Sequence, residues 1–253
     1  MRAMVLAAGL GTRLRPLTDD RPKALVEVGG RTLLEITLAR LRASGVREVI
    51  INVHHLADMI ENALRANNNF GMRIEVSREE TLLDTGGGLK KAAWFFLEDA
   101  KRLDEPFIVH NVDVLSTIDL GSMAKSHAER RALATLAVQN RKTSRYLLFN
   151  EQGQLSGRRQ GGDHQPEIVR SSAHLEPLAF CGIHVISPRL LSLMTEEGVF
   201  SIITTYMRLA ARGENIAAFR ADAYDWRDLG KAEQLRQADE DLRRGLFSQN
   251  AGD

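Results

Sequence analysis

Short apolar runs of strand length alternate with amphipathic segments of helix length through the first half of this chain. That alternation restricts its fold more than any other feature. Ala3 to Ala7 reads as a buried strand, and Thr32 to Ser44 then carries Leu33, Leu34, Ile36, Leu38 and Leu41 at helical spacing before Gly45. Glu48-Val49-Ile50-Ile51-Asn52-Val53 follows as a second strand, which closes a βαβ unit. The pattern continues with a helix over Leu56 to Arg65, a strand over Met72 to Ser77, a helix over Gly88 to Phe96 and a strand over Pro106 to Val109. Strand and helix in strict turn predict an α/β fold: a Rossmann-like, mainly parallel sheet flanked by helices, with a small insert. Ligands of such sheets bind beyond the carboxyl ends of the strands.

The second half is less regular. Thr135 to Gln139, Tyr146 to Asn150 and Phe180 to Ile186 read as strands, whereas Ser156 to Ala173 is polar and aperiodic and reads as a long loop or lid. Lys231 to Phe247 places Leu235, Ala238, Leu242 and Leu246 on one helical stripe and predicts a helix packed on the body. With 253 residues, 43% hydrophobic content, no internal repeat and no low-complexity linker, the chain is read as one domain with a well-buried core. Its 34 Lys and Arg against 33 Asp and Glu give no general nucleic-acid-binding surface. The apolar run after Met1-Arg2 is short for a secretory leader, and no stretch suits a membrane span, so a soluble cytoplasmic protein is expected. Cys181 lies in the apolar run Leu178 to Ile183 and reads as a buried, inert thiol.

The first strand runs into Gly9-Leu10-Gly11, a turn able to present backbone N–H groups to an anion. It fits neither the P-loop spacing nor the dinucleotide fingerprint, whose third glycine is replaced by Leu14. Cations follow at once. Arg13 succeeds the loop, and Lys23 follows Arg21-Pro22, where proline restrains the backbone. A guanidinium and an ammonium suit a polyphosphate, one as a fork and the other as a point charge. Arg15 and Arg21 read as solvated surface residues.

Leu6 to Thr18, followed by Pro22-Lys23, resembles the signature of the sugar-1-phosphate nucleotidylyltransferases, in which Leu-Ala-Ala-Gly-x-Gly-Thr-Arg-Leu-x-Pro-Leu-Thr precedes Pro-Lys. The resemblance implies that Ala8, Gly9, Gly11 and Thr12 cradle a nucleoside triphosphate and that Arg13 and Lys23 bind it and stabilise its transition state. It also implies a nucleotide-binding half over about residues 1–130 and a sugar-binding half, with the sugar-side insert, over about 131–253.

Phosphoryl chemistry between oxyanions calls for charge neutralisation, for which Mg²⁺ held by one or two carboxylates and by substrate phosphates is the usual device. Asp113 follows Phe107-Ile108-Val109-His110-Asn111-Val112 at a strand end, and Asp228 lies in Tyr224-Asp225-Trp226-Arg227-Asp228-Leu229-Gly230. Both segments resemble metal-binding segments of the family, and the resemblance makes Asp113 and Asp228 the Mg²⁺ ligands. It extends from residue 4 to about residue 235, with two departures: Val112 stands where glycine is common, placing a side chain next to the nucleotide, and Lys231 stands where threonine is usual. Arg145, Arg158 and Arg170 are candidates for the sugar phosphate.

Leu83-Asp84-Thr85-Gly86-Gly87-Gly88 opens a helix, where Asp84 or Thr85 could cap and exposed backbone groups could read a base. In the family this segment helps form the base pocket. Its acidic form looks most like the N-acetylmuramate-1-phosphate uridylyltransferase branch, so UTP is the first expectation, with Thr85, Gly86 and Gly87 at the base and Asn111 at the ribose or the sugar. Guanylyl, thymidylyl or cytidylyl transfer to another sugar-1-phosphate or to phosphocholine is the alternative, followed by a regulator that binds nucleotide-sugar without turnover. The adjacent His54-His55 pair reads as structural or surface rather than zinc-binding. Monomer and homo-oligomer both stay open.

Overall fold

The computed structural model describes residues 1–161 and 165–247. In chain order the first elements are β1 (Arg2–Leu6), a short hairpin of β2 (Glu27–Val28) and β3 (Arg31–Thr32), α1 (Leu33–Ala43) and β4 (Glu48–Val53). Next come α2 (Ala57–Ala66), β5 (Arg73–Arg78), α3 (Asp84–Lys91), α4 (Trp94–Leu97), β6 (Phe107–Asn111), β7 (Val114–Ser116) and α5 (Leu120–Glu129). They are followed by β8 (Ala134–Gln139), β9 (Arg145–Phe149), β10 (Leu155–Gln160), β11 (Glu167–Ile168) and β12 (Glu176–Ile186). The chain closes with α6 (Arg189–Ser192), α7 (Ile202–Ala211), β13 (Ile216–Arg220), β14 (Trp226–Asp228) and α8 (Ala232–Arg243). This is the expected α/β class, a large sheet flanked by helices. No helix among the described residues is long and apolar enough to cross a membrane.

The chain divides into two compact units. One combines Met1–Asp84, Val109–Ile118 and the chain from Tyr224 onward; the other combines Thr85–Ile108 and Asp119–Ala223.

In the first unit β4 is parallel to both neighbours, with Met4 opposite Ile50 and Ile50 opposite Glu75. The strand order is β6-β1-β4-β5. Val49, Ile50, Ile51 and Val53 are wholly buried, so this strand shows a continuous apolar run rather than an alternation. Each such side chain contributes about 1.5–3 kcal/mol of burial. Helix α1 starts where the sequence predicts. Thr32 Oγ1 accepts from Glu35 N at 3.1 Å, the last residue is Ala43, and Leu33, Leu34, Leu38 and Leu41 are buried. From β1 the chain continues to β4 on one side, while β6 lies on the other. In open α/β sheets ligands bind where the strand order reverses in this way, here at the carboxyl ends of β1 and β6.

Helix α8 buries Leu235 and Ala238, and its Asp239 carboxylate accepts from Gly29 N at 2.8 Å. The stripe stops short of the expected length, because the helix ends at Arg243 and Leu246 is exposed.

In the second unit β12 pairs with β9 over Glu176–Leu178 and with β8 from Ala179 onward, both antiparallel, and β13 lies parallel to β8. The expected long loop over Ser156 to Ala173 is instead structured in part. Gly157 pairs with Ile168 and Arg158 with Glu167 in an antiparallel hairpin, closed by an Arg158 Nε to Glu167 Oε2 bond of 2.7 Å; residues 162–164 lie outside the described residues. Cys181 is fully buried, and burial pushes its thiol up to about 12, in keeping with an inert role.

Helix α3 begins at Asp84 rather than Gly88 and stops at Lys91, before the separate turn α4. Within the second unit the Gly86 and Gly87 N–H groups both donate to Phe200 O, at 2.9 and 3.2 Å, and Thr85 Oγ1 accepts from Ile202 N at 3.0 Å. A Cβ at Gly86 would sit 2.4 Å from the Phe200 ring and 2.9 Å from its carbonyl oxygen. Gly86→Ala is therefore expected to cost about 1–3 kcal/mol, read as a lowered urea midpoint. An unchanged midpoint would show that the Phe200 packing yields freely.

Candidate active site

The loop that leaves β1 is fixed before it reaches its glycines. Ala7 N donates to Asn52 Oδ1 at 2.8 Å, and Ala7 and Ala8 are buried while Gly9 is exposed. Gly11 has φ +65°, where glycine is unstrained, and its carbonyl accepts from Leu14 N at 2.8 Å and Thr18 Oγ1 at 2.9 Å. A Cβ there would meet Thr18 Cγ2 at 2.9 Å, whereas a Cβ at Gly9 would meet nothing within 4 Å. The fold thus demands glycine at position 11 and makes no such demand at position 9. Thr12 and Arg13 open the exposed 3₁₀ turn Thr12–Leu14, as cations and hydroxyls directed at a ligand would need to be.

Lys23 opens a second 3₁₀ turn behind Pro22 and is only 8% exposed. Its ammonium pairs with Asp113 Oδ2, so the lysine that follows the proline is held against the first of the two candidate aspartates. Asp113 sits in the turn between β6 and β7, and its carbonyl accepts from Leu229 N at 2.8 Å. Strand β14 runs antiparallel to β7 with Asp228 opposite Val114, the residue after Asp113, which brings the second aspartate beside the turn that holds the first. Asp228 Oδ1 accepts from Gly230 N at 2.6 Å. A Cβ at Gly230 would lie 2.6 Å from that oxygen and 2.8 Å from Arg13 Nη2, so the bare glycine lets guanidinium and carboxylate flank it. Arg13, Lys23, Asp113 and Asp228 are thereby gathered at one end of the first unit.

Two neighbouring carboxylates, one in the turn before β7 and one at the end of β14, are the hard oxygen donors that Mg²⁺ takes from a protein when substrate phosphates and water supply the rest. No group of three His, Cys, Asp or Glu able to hold a metal occurs among the described residues. A pair of carboxylates leaves positions for ligand oxygens, which suits an ion shared with a phosphate substrate.

Asn111 ends β6, half-buried, two residues before Asp113. Thr85, Gly86 and Gly87 belong to the second unit, and the expectation that exposed N–H groups there read a base is corrected: Gly86 and Gly87 spend theirs on Phe200. Any part in recognition falls to side chains and carbonyl groups of that segment. Val112 is corrected too. It is 5% exposed, its N–H donates to Leu6 O at 3.1 Å, and its side chain is core. Arg170 is spent on Gln154 Oε1 and on the Ala210 and Glu214 carbonyls, which removes it from the candidates for a sugar phosphate. Arg15 and Arg21 are exposed, as expected. His54 is structural, its Nδ1–H donating to Glu79 O at 2.8 Å.

Sequence reasoning missed Gly230, Asn52 and Glu79. For Asn52 a signal existed, since it is the lone polar residue inside the apolar run Val49 to Val53.

A family model described as nucleotidyl transferase matches residues 2–153. The N-acetylmuramate alpha-1-phosphate uridylyltransferase of Caulobacter vibrioides is 37% identical over 221 residues, which cover 83% of this chain and 85% of that one. The mannose-1-phosphate guanyltransferase of Yarrowia lipolytica is 30% identical, over 91% of this chain and 61% of its own length. Among solved structures, HddC from Yersinia pseudotuberculosis complexed with GMP-PN superposes with a TM-score of 0.75 at 21% identity, covering 95% of this chain and 99% of that one. This last likeness bears on the fold alone.

Proposed function

Because the chain belongs to the nucleotidyl transferase family, we propose that it joins a nucleoside triphosphate, UTP in the first instance, to a sugar-1-phosphate, releasing pyrophosphate and a nucleotide-sugar. The observation that carries this reading is the gathering of Arg13, Lys23, Asp113 and Asp228 beside the glycine loop. The acceptor we propose is N-acetylmuramate-1-phosphate or a similar hexose-1-phosphate, which makes the product a cell-wall precursor formed in the cytoplasm.

The sugar phosphate is its own nucleophile. Its oxygen attacks the α-phosphorus in line, the bond from that phosphorus to the β-bridging oxygen breaks, and pyrophosphate leaves. The chain's residues position the reactants and stabilise charge. The loop through Ala8, Gly9, Gly11 and Thr12 holds the phosphates, and Arg13 forks onto their oxygens. Lys23, anchored by Asp113, offers its remaining donors to charge that grows in the transition state. Asp113 and Asp228 would hold Mg²⁺, which when bound supplies further neutralisation at the phosphate oxygens. Asn111 is assigned to the ribose or the sugar, and the segment from Asp84 to Gly87 to the base.

A pyrophosphate-release assay with each nucleoside triphosphate against a panel of sugar-1-phosphates tests this directly. UTP with N-acetylmuramate-1-phosphate should be the best pair; a best pair with GTP would move the base assignment, and no release with any pair would overturn the reading. The glycine loop gives a sharper contrast. Gly9→Ala should leave the urea midpoint unchanged yet raise KM for the triphosphate by about tenfold, since only the ligand needs that space. Gly11→Ala should instead lose about 1–2 kcal/mol of stability through left-handed strain. Equal stability losses in the two variants would contradict this division.

A further inference from the structure

Three hydrogen bonds tie the glycine loop to the segment that leads into Asp84 through one pair of buried side chains. Asn52 ends the paired stretch of β4 opposite Leu6, where the first amide beyond β1 lacks a strand partner. Its Oδ1 accepts from Ala7 N at 2.8 Å, and its Nδ2 donates to Glu79 Oε1 at 2.7 Å. The other Glu79 oxygen accepts from Leu83 N at 2.9 Å. Glu79 is itself fixed, its N–H donating to Val53 O at 2.8 Å and its carbonyl accepting from His54. Asn52 and Glu79 are 3% and 4% exposed.

From this network we propose that Asn52 and Glu79 are positioning residues for the nucleotide: one pair that sets both the phosphate loop after Ala7 and the base segment after Leu83. The inference rests on the nucleotidyl transfer reading above. Neither side chain is assigned to the substrate, and each acts through the backbone it holds. The donor and acceptor pattern dictates the residue types. Ala7 N and Leu83 N are both donors, so the bridge between them must end in acceptors and carry one donor in the middle. An amide at 52 with a carboxylate at 79 meets that requirement. So does the reverse arrangement, a carboxylate at 52 with an amide at 79.

Asn52→Asp alone sets two carboxylates face to face, and Glu79→Gln alone leaves either Asn52 Nδ2 or Leu83 N opposite another donor. The double variant Asn52→Asp/Glu79→Gln restores every bond: the amide nitrogen introduced at position 79 donates to the carboxylate introduced at position 52, and the amide oxygen at 79 accepts from Leu83 N.

The test is steady-state kinetics of the full chain with magnesium UTP and the best sugar-1-phosphate. Each single variant should raise KM for the triphosphate by about tenfold or more while KM for the sugar-1-phosphate stays within about twofold, and the double variant should return to within about threefold of the parent. A merely structural role would reduce the active fraction, lowering kcat with both KM values intact, and that result would overturn the proposal. A double variant at least as impaired as the worse single would also overturn it. Should the single variants fail to fold, the double variant decides by the same threefold limit. If the parent chain releases no pyrophosphate with any pair, it is the transfer reading that fails. Amide exchange then decides the bridge: slow at Ala7 and Leu83 in the parent and the double variant supports it, and fast exchange in either overturns it.

Discussion

Asp113→Asn is expected to cut pyrophosphate release by about a hundredfold to a thousandfold while leaving the fold in place. The substitution is close to isosteric. Its amide oxygen still accepts from Lys23, and the Asp113 carbonyl that receives Leu229 N is untouched. What disappears is one unit of negative charge between the β6 and β7 strands. The donor set proposed for a cation falls to the single carboxylate of Asp228, and Lys23 is left without the counter-ion that aims it. The urea midpoint of the variant should stay near that of the parent, because the side chain is partly exposed. Near-normal turnover would sink the assignment of Asp113; a collapsed midpoint would show that the residue serves the fold first.

The second large effect is on stability, between pH 6.5 and pH 4.5. His110 is buried on β6, one residue before Asn111. Burial and the neighbouring Arg40 charge push its pKa down to about 3, and its Nδ1–H donates to Asn111 O at 2.8 Å. His127 is lowered to about 4 by burial, with its ring nitrogens 3.0 Å from the Thr135 and Ser187 hydroxyls. Both shifts have the same sign. The folded state refuses a proton that the unfolded chain accepts from about pH 6.5 downward, so the stability present above that pH is lost as pH falls toward the folded values. Each histidine removes about 1.4 kcal/mol per pH unit, and about 2.7 kcal/mol by pH 4.5. Together the two approach the whole stability of a marginal domain. Urea unfolding at pH 7, 6, 5 and 4.5 should show a steep fall, halved by His127→Gln. A flat profile over that window would contradict the buried neutral state of both rings.

How much of this was legible in the sequence depended on whether the deciding contacts are local. Glu48–Val53 is found within its predicted bounds because a continuous apolar run after a glycine-closed helix has few other solutions. Thr32 announces α1 in the same way, through a cap and a glutamate three residues on. The hairpin of β10 and β11 was illegible: Arg158, Arg159 and Gln160 form a polar edge whose partner supplies the order, and no period-two pattern survives. Gly86 is instructive in another way. Its neighbours suggest a ligand loop, yet the residue that demands glycine is Phe200, far along the chain. Exposed backbone could not be inferred from glycine content.

The site divides along the same line. The loop, the cations and the aspartates lie in contiguous motifs and could be read off, but their meeting could not. Lys23 pairs with Asp113 across ninety residues, and Arg13 and Asp228 share the bare face of Gly230 once β7 and β14 pair across more than a hundred. Val112 illustrates the opposite error: an unusual residue inside a motif suggested crowding of the nucleotide, but the turn after β6 carries its side chain into the core. Asn52 and Glu79 carry no motif at all, and their complementarity exists only once β1, β4 and β5 are side by side.

The central claim is that the triphosphate is cut at its α-phosphorus, and where the label goes tests it most directly. With UTP radiolabelled at the α-phosphorus, the account predicts that label enters the nucleotide-sugar; with label at the γ-phosphorus, it leaves in pyrophosphate. Label from the γ-position on the sugar, or released as orthophosphate from an otherwise inert mixture, would contradict it.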